Sequence, residues 1–176
     1  MLDAETVRRL LDYDPATGVF TWKARGNPQW DARYAGKRAG SLHRQGYLQM
    51  RMNDRQYLAH RLAWLHVHGT LPDYLDHINR DTADNRIANL RLATYSQNNA
   101  NSRRHKDNKC GFKGVYRRHG KWRAQISDGY SSDGRKRMRH LGFFDSAEAA
   151  HEAYMRAARE KFGEFAYMGF LTRGSA

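Results

Sequence analysis

"LDHINRDTADNRIANLRLATYSQNN", residues 75–99, is the stretch on which the reading of this chain turns. It holds few residues that build a core. It sets a carboxylate beside an imidazole, Asp76-His77, and follows them with Asn79, Asn85, Asn89, Asn98 and Asn99. "DYLDHI" reads as a short strand, "NRDTADNRIANL" as a polar loop with one helical turn, and "LRLAT" as a second strand. Thr94 or Ser96 can then cap a helix beginning near residues 95–97.

Phosphodiester hydrolysis needs a base to activate water, a cation to neutralise charge on the phosphate and the leaving oxygen, and accurate positioning. Asp76 offers a hard oxygen ligand. The imidazole of His77, with an unperturbed pKa of about 6.5, suits a general base near neutral pH. Neighbours on a strand point to opposite faces, so one can hold a metal while the other faces water. A nearby asparagine oxygen could complete the metal's protein ligands without adding charge that would repel phosphate. Hard oxygen donors favour Mg²⁺, or Mn²⁺, and Mg²⁺ keeps several waters, so two protein ligands suffice. Asn85 reads as a residue that braces the loop.

Upstream, residues 2–13 read as a short helix, with Val7, Leu10 and Leu11 apolar. "DPATG" (14–18) is a turn and "VFTWK" (19–23) a strand. "GNPQWDARYAGKRAGS" is expected to be loop-like. "GYLQMRMNDRQYLAHRLAW" predicts a hairpin around Asn53-Asp54, then a helix over about 59–68 that Gly69 stops. His60, His66 and His68 do not share a face that would suit a metal. They read as structural or surface groups, His60 as one packed against the strand–loop–strand unit.

Downstream, residues 99–112 are polar and basic and read as a helix end followed by a linker. "KGVYRRHGKWRAQISDGYSSDGRKRMRHLGFF" predicts three short strands with turns at His119-Gly120 and 128–134. "DSAEAAHEAYMRAAREKFG" predicts a helix, capped by Asp145 or Ser146 and ended by Gly163. Its alanines make one face small enough to lie close on a sheet. In "KWRAQIS", Trp122, Ala124 and Ile126 point one way and Arg123, Gln125 and Ser127 the other.

The formal net charge is +13 over 176 residues, and it is uneven. Residues 101–140 hold 13 Lys/Arg against 3 Asp/Glu, so this stretch supplies +10 of the total. Such a stripe is an electrostatic footprint for a polyphosphate. It lacks the amphipathic helical pattern of a membrane-surface segment. No apolar run approaches the roughly 18–20 residues of a membrane span. The start, "MLDAETVRRLLDYD", does not read as a secretion signal. A single cysteine, Cys110, excludes an intrachain disulfide and a Cys-rich zinc finger, and an intracellular, cytoplasmic setting is the default expectation.

Residues 60–99, "HRLAW…DHINRDTADNRIANLRLATYSQNN", resemble the HNH endonucleases, particularly the phage and intron-encoded homing type. The resemblance implies a ββα-metal unit with Asp76 and Asn98 as metal ligands and His77 as the base that activates water. It implies Asn89 as the residue that orients His77 through a hydrogen bond. Asn98 stands where many HNH enzymes carry their last histidine. Residues 112–165 resemble the Apetala-type, ethylene-response-factor DNA-binding domain, on "GVYRRHGKWRAQI", "HLGFFDSAEAAHEAY" and "AAREKFGEFA". By position, that likeness implies a DNA-facing side with Lys113, Tyr116, Arg118 or His119, Arg123, Gln125, Ser127, Met138 and His140. Arg117, Arg137 and Arg139 add charge to the DNA-binding set. His140 replaces the family's usual tryptophan and the first hairpin is about one residue shorter, so the plant domain's target sequence does not carry over. Arg103, Arg104, Lys106 and Lys109 would track the DNA backbone.

The fold class expected is α+β: a ββα-metal nuclease domain followed by a small three-stranded antiparallel sheet packed on one helix. The domains expected are 1–100 for the nuclease with its lead-in, 101–111 for a basic linker, 112–168 for the DNA-binding domain and 169–176 for a tail. The function expected is site-specific cleavage of double-stranded DNA, nicking one strand, by a monomer with Mg²⁺ (or Mn²⁺), no small-molecule cofactor and no membrane. A DNA-binding regulator with a degenerate nuclease fold, and a nuclease acting on RNA, are the rival readings.

Overall fold

Asp3 accepts a hydrogen bond from the Thr6 N–H (2.7 Å) and starts α1, Ala4–Leu10. The helix stops earlier than expected. Leu11–Asp14 (β1) instead pairs antiparallel with Val19–Trp22 (β2), which buries Leu11 completely, so sheet pairing and burial override helix continuation. The computed structural model describes residues 2–102, 108 and 110–167. The chain divides into two compact units, Met1–Thr94 and Tyr95–Ala176.

The segment expected to be a loop contains α2, Pro28–Tyr34, and the two-residue strand β3, Ser41–Leu42. α2 has no buried residue, so no apolar period announces it. Local chemistry makes it: Asn27 accepts from the Trp30 N–H (3.0 Å), Pro28 sits in the first turn, and the Asp31 carboxylate accepts from the Arg25 and Gly26 N–H groups. The Arg25 guanidinium lies 3.8 Å from the ring centre of Trp30, which meets Trp22 edge-on.

β4 (Leu48–Met52) and β5 (Arg55–Leu58) form the hairpin around Asn53-Asp54, both of which are left-handed (φ 46° and 59°). β3 pairs at its other edge, giving the order β3-β4-β5. α3, Ala59–His68, follows directly, and Gly69 closes it in the left-handed conformation. It buries Leu62, Ala63 and Leu65 against Val7, Leu11, Phe20, Met50 and Leu90, the core of this unit. β6 (Leu75–His77) and β7 (Leu90–Leu92) then pair antiparallel across the polar loop, whose last turn is a 3₁₀ turn, Ile87–Asn89.

The second unit begins with α4, Tyr95–Asn101. β8 (Val115–Arg118), β9 (Lys121–Tyr130) and β10 (Lys136–Phe144) form an antiparallel sheet in the order β10-β9-β8. β9 runs to Tyr130, so the second hairpin turns later than expected: the Ser131 N–H donates to the Arg135 carbonyl (2.8 Å). α5, Ala147–Phe162, starts at Ser146, whose hydroxyl accepts from the Ala149 N–H. Its buried Ala150, Ala153, Ala157 and Ala158 let it lie close to the sheet residues Val115, Ala124 and Ile126. Among the described residues, no helix is long and apolar enough to cross a membrane.

Candidate active site and nucleic-acid interface

Strand pairing sets the first contact of the site. Asp76 on β6 lies opposite Arg91 on β7, and the guanidinium donates through Nε (2.9 Å) and Nη2 (2.8 Å) to Asp76 Oδ2. Asp76 is 3 % exposed. A carboxylate that far from water keeps its charge only with a partner. The sequence reading missed Arg91. Laying residues 75–77 against 90–92 as an antiparallel pair would have found it.

His77 is buried too. Burial lowers its pKa below the usual histidine value. The neighbouring Asn85 carboxamide and the charges of Asp76, Asp81 and Asp84 oppose that fall without cancelling it. The neutral form of the ring is favoured.

The loop after His77 is a web of amides and carboxylates. Asn89 Oδ1 accepts from the Asn79 N–H (3.0 Å), and its Nδ2 donates to Asn79 Oδ1 (3.0 Å) and to the Asp84 carbonyl (2.9 Å). Its own carbonyl accepts from the Ile78 N–H (2.9 Å). Asn89 thus spends both amide hydrogens on the loop and fixes the backbone beside His77. The carboxamide that bears on the imidazole is that of Asn85, 1 % exposed, whose Nδ2 donates to the Ala83 carbonyl and whose Oδ1 has no hydrogen-bond partner among the described residues. In these contacts Asn89 braces the loop beside His77 and Asn85 stands against the ring. Asp84 accepts from Arg86 and Asn79, and the bonds from Arg86 hold its pKa down at about 2.

The N-terminal hairpin backs this loop. The Tyr13 hydroxyl donates to the Asn85 carbonyl (2.7 Å), and the Ile87 N–H donates to the Pro15 carbonyl (3.2 Å). Gly18 (φ +72°) lies so close that an added Cβ would sit 2.5 Å from the Arg86 nitrogen. "DPATG" is a glycine turn because the loop leaves no room for a side chain there.

His60 packs against the unit, as expected: it is buried, with its ring centre 4.9 Å from that of His77. His66 packs on Tyr13 and His68 on Trp64, so neither joins it. Among the described residues no group of three or more His, Cys, Asp or Glu side chains could hold a metal ion. A cation at this site would rest on Asp76 with an amide oxygen. A carboxylate carries about four lone-pair positions, so Arg91 on Oδ2 is compatible with a cation on the same group. That donor chemistry fits a hard, water-retaining ion such as Mg²⁺ or Mn²⁺. Asn98 lies on α4, half-buried.

In the second unit, register assigns the faces. Tyr116 pairs with Arg123 and Arg123 with Phe143; Gln125 pairs with His140, and Ser127 with Met138. Directly paired residues share a face, so these seven form one surface away from α5. Phe143 was not foreseen; it is 50 % exposed and its ring lies 4.8 Å from that of His140. A β-bulge between His140 and Gly142 turns it to this side, and a bulge leaves no trace in a simple alternation. Arg118 and His119 end the first hairpin, exposed. Arg137 is exposed within the other register shift of β10.

Three other residues of the expected DNA-facing set have contacts of their own. The Lys113 ammonium donates to the carbonyls of Asn99, Ala100 and Ser102, each at 2.8 Å, and so ties down the end of α4. Burial, aided by the charge of Lys136, pushes its pKa down to about 8. Arg117 pairs with Trp122 and lies over its ring, on the α5 side. Arg139 pairs with buried Ile126 and so belongs to that side as well. Arg103, Arg104, Lys106 and Lys109 lie outside the described residues.

No curated protein and no solved structure matches the chain. Residues 57–100, from β5 through α3, the β6–β7 pair and most of α4, match the family model of the HNH endonucleases, and that match points to a nuclease.

Proposed function

We propose that this chain is a metal-dependent endonuclease that hydrolyses phosphodiester bonds in double-stranded DNA at chosen sites, nicking one strand at a time as a homing-type enzyme does. The observation that carries the reading is the buried Asp76-His77 pair on β6, inside the segment that matches the HNH endonucleases.

His77 acts as the general base. Burial keeps its ring neutral, so a lone pair is available to take the proton of an attacking water. Asp76 and Asn98 would hold the metal, and Arg91 fixes the Asp76 carboxylate. When bound, Mg²⁺ or Mn²⁺ supplies positive charge that offsets the charge developing on the phosphate and the leaving 3′ oxygen. Asn89 orients the imidazole by holding the loop beside it, and Asn85 stands against the ring. Tyr116, Arg123, Gln125, Ser127, Met138, His140 and Phe143 form the surface that meets duplex DNA, in the manner of ethylene-response-factor domains. Arg118, His119 and Arg137 lie at its margin. Gln125 can read a base edge while the arginines grip phosphates.

Nicking of supercoiled plasmid, with Mg²⁺ and with chelator, tests this. A general base contributes about 10²–10⁴-fold. His77→Ala is therefore expected to slow nicking by about that factor while DNA affinity is unchanged. A variant that cuts at the parent rate refutes His77 as the base. A parent chain that binds DNA and never nicks it refutes the enzyme.

A further inference from the structure

A second imidazole stands against His77 and has no part in the chemistry above. His60, the second residue of α3, is 6 % exposed. Its ring meets that of His77 edge-on, at 4.9 Å between centres and 69° between planes. The Tyr47 ring completes the group, 5.5 Å from His60 and 6.0 Å from His77. The Nδ1 of His60 is buried and has no hydrogen-bond partner among the described residues. A buried polar atom left so costs about 1–3 kcal/mol, so stability alone gives no reason for an imidazole here. Packing, not hydrogen bonding, holds the ring. Burial, with repulsion from His77 and Arg61, pushes its pKa down to about 3, and the ring stays uncharged.

We propose that His60 is a positioning residue: a flat, neutral wall, fixed on a helix, that holds the His77 ring in the plane from which it takes a proton from water. An edge-to-face neighbour restricts rotation of the ring it touches. A charged neighbour in the same place would repel a base that must itself become positive. A small misplacement of a reacting group, about 1 Å, costs about 10²-fold in rate. Tyr47 packs beside both imidazoles and closes the group.

The inference rests on the reading of the chain as a nuclease with His77 as base. Its test is steady-state nicking by the full chain and by His60→Ala, His60→Phe and His60→Gln, with melting curves for each. His60→Ala is expected to lower kcat by about 10- to 10²-fold with KM unchanged. His60→Phe, which keeps a flat uncharged ring, is expected to recover most of that loss. His60→Gln, which keeps polarity without the ring, is not. In the His60→Ala chain the His77 ring protons, followed by NMR, are expected to lose the shifts a neighbouring ring imposes, and that signal needs no cleavage. A His60→Ala chain with parent kcat overturns the proposal. So does rescue by Gln and not by Phe, or a loss of activity fully matched by loss of folded protein. If His60→Ala cuts normally while His77→Ala is dead, only this inference falls. If His77→Ala also cuts normally, the nuclease reading falls with it.

Discussion

His60 makes the first unit sensitive to acid. An unfolded chain protonates this residue near pH 6.5, while the folded chain resists until about pH 3. The unfolded state then binds more protons across that window. Stability is whole above about pH 6.5 and falls as pH drops towards 3, at up to about 1.4 kcal/mol per pH unit. The lowered pKa of His77 acts in the same direction. Urea unfolding at pH 7 and pH 4.5 is expected to show a lower midpoint in acid, and His60→Phe to narrow the gap. Equal midpoints for the parent chain at the two pH values would contradict the burial of a neutral ring. At this scale the sequence yields residue types more readily than roles. Asp76-His77 announces its chemistry in letters. Asn85 and Asn89 are the same letter, and only the folded loop separates the one beside the imidazole from the one that ties Asn79 to Asp84.

Elements were legible where burial and punctuation agree. α3 shows an apolar side and a terminating glycine, and the three strands of the second unit show alternation and turn residues. α2 shows neither, because nothing in it is buried; its cap, its Asp31 clasp and its edge-on contact with Trp22 involve residues outside the helix or against it. Lys113 is placed on the DNA-facing side by position in a family likeness. The carbonyls it holds lie 11–14 residues earlier in the chain, beyond any local pattern. Gly114, its neighbour, carries an element-scale prediction. It has φ +73°, and an added Cβ would lie 2.2 Å from the Tyr154 ring on α5. Left-handed strain of about 1 kcal/mol or more adds to overpacking of about 1–3 kcal/mol. Gly114→Ala is expected to destabilise the sheet–helix unit by about 2–4 kcal/mol, read by urea unfolding of the full chain. A change below about 0.5 kcal/mol, the ordinary range for surface substitutions, would mean that α5 does not press on this turn.

For the whole molecule, charge is the property that the sequence reports most directly. Thirteen Lys/Arg against three Asp/Glu in residues 101–140 make a strongly basic stretch of the kind that suits a polyanion. Which face each cation takes was not legible, since strand register alone assigns Arg117 and Arg139 to the α5 side. If the protein contacts roughly 6–10 phosphates, its affinity for a duplex should fall by about 10³–10⁵-fold between 50 and 200 mM salt. Fluorescence anisotropy on a labelled duplex measures the slope, and a shallow one would count against the footprint.

The segment shared with known nucleases starts at residue 57. The wall behind its polar loop is built by Tyr13, Pro15 and Gly18, some forty residues before that boundary. An engineer who trims the protein along the recognisable motif would keep the whole polar loop and discard the buttress that holds it in place.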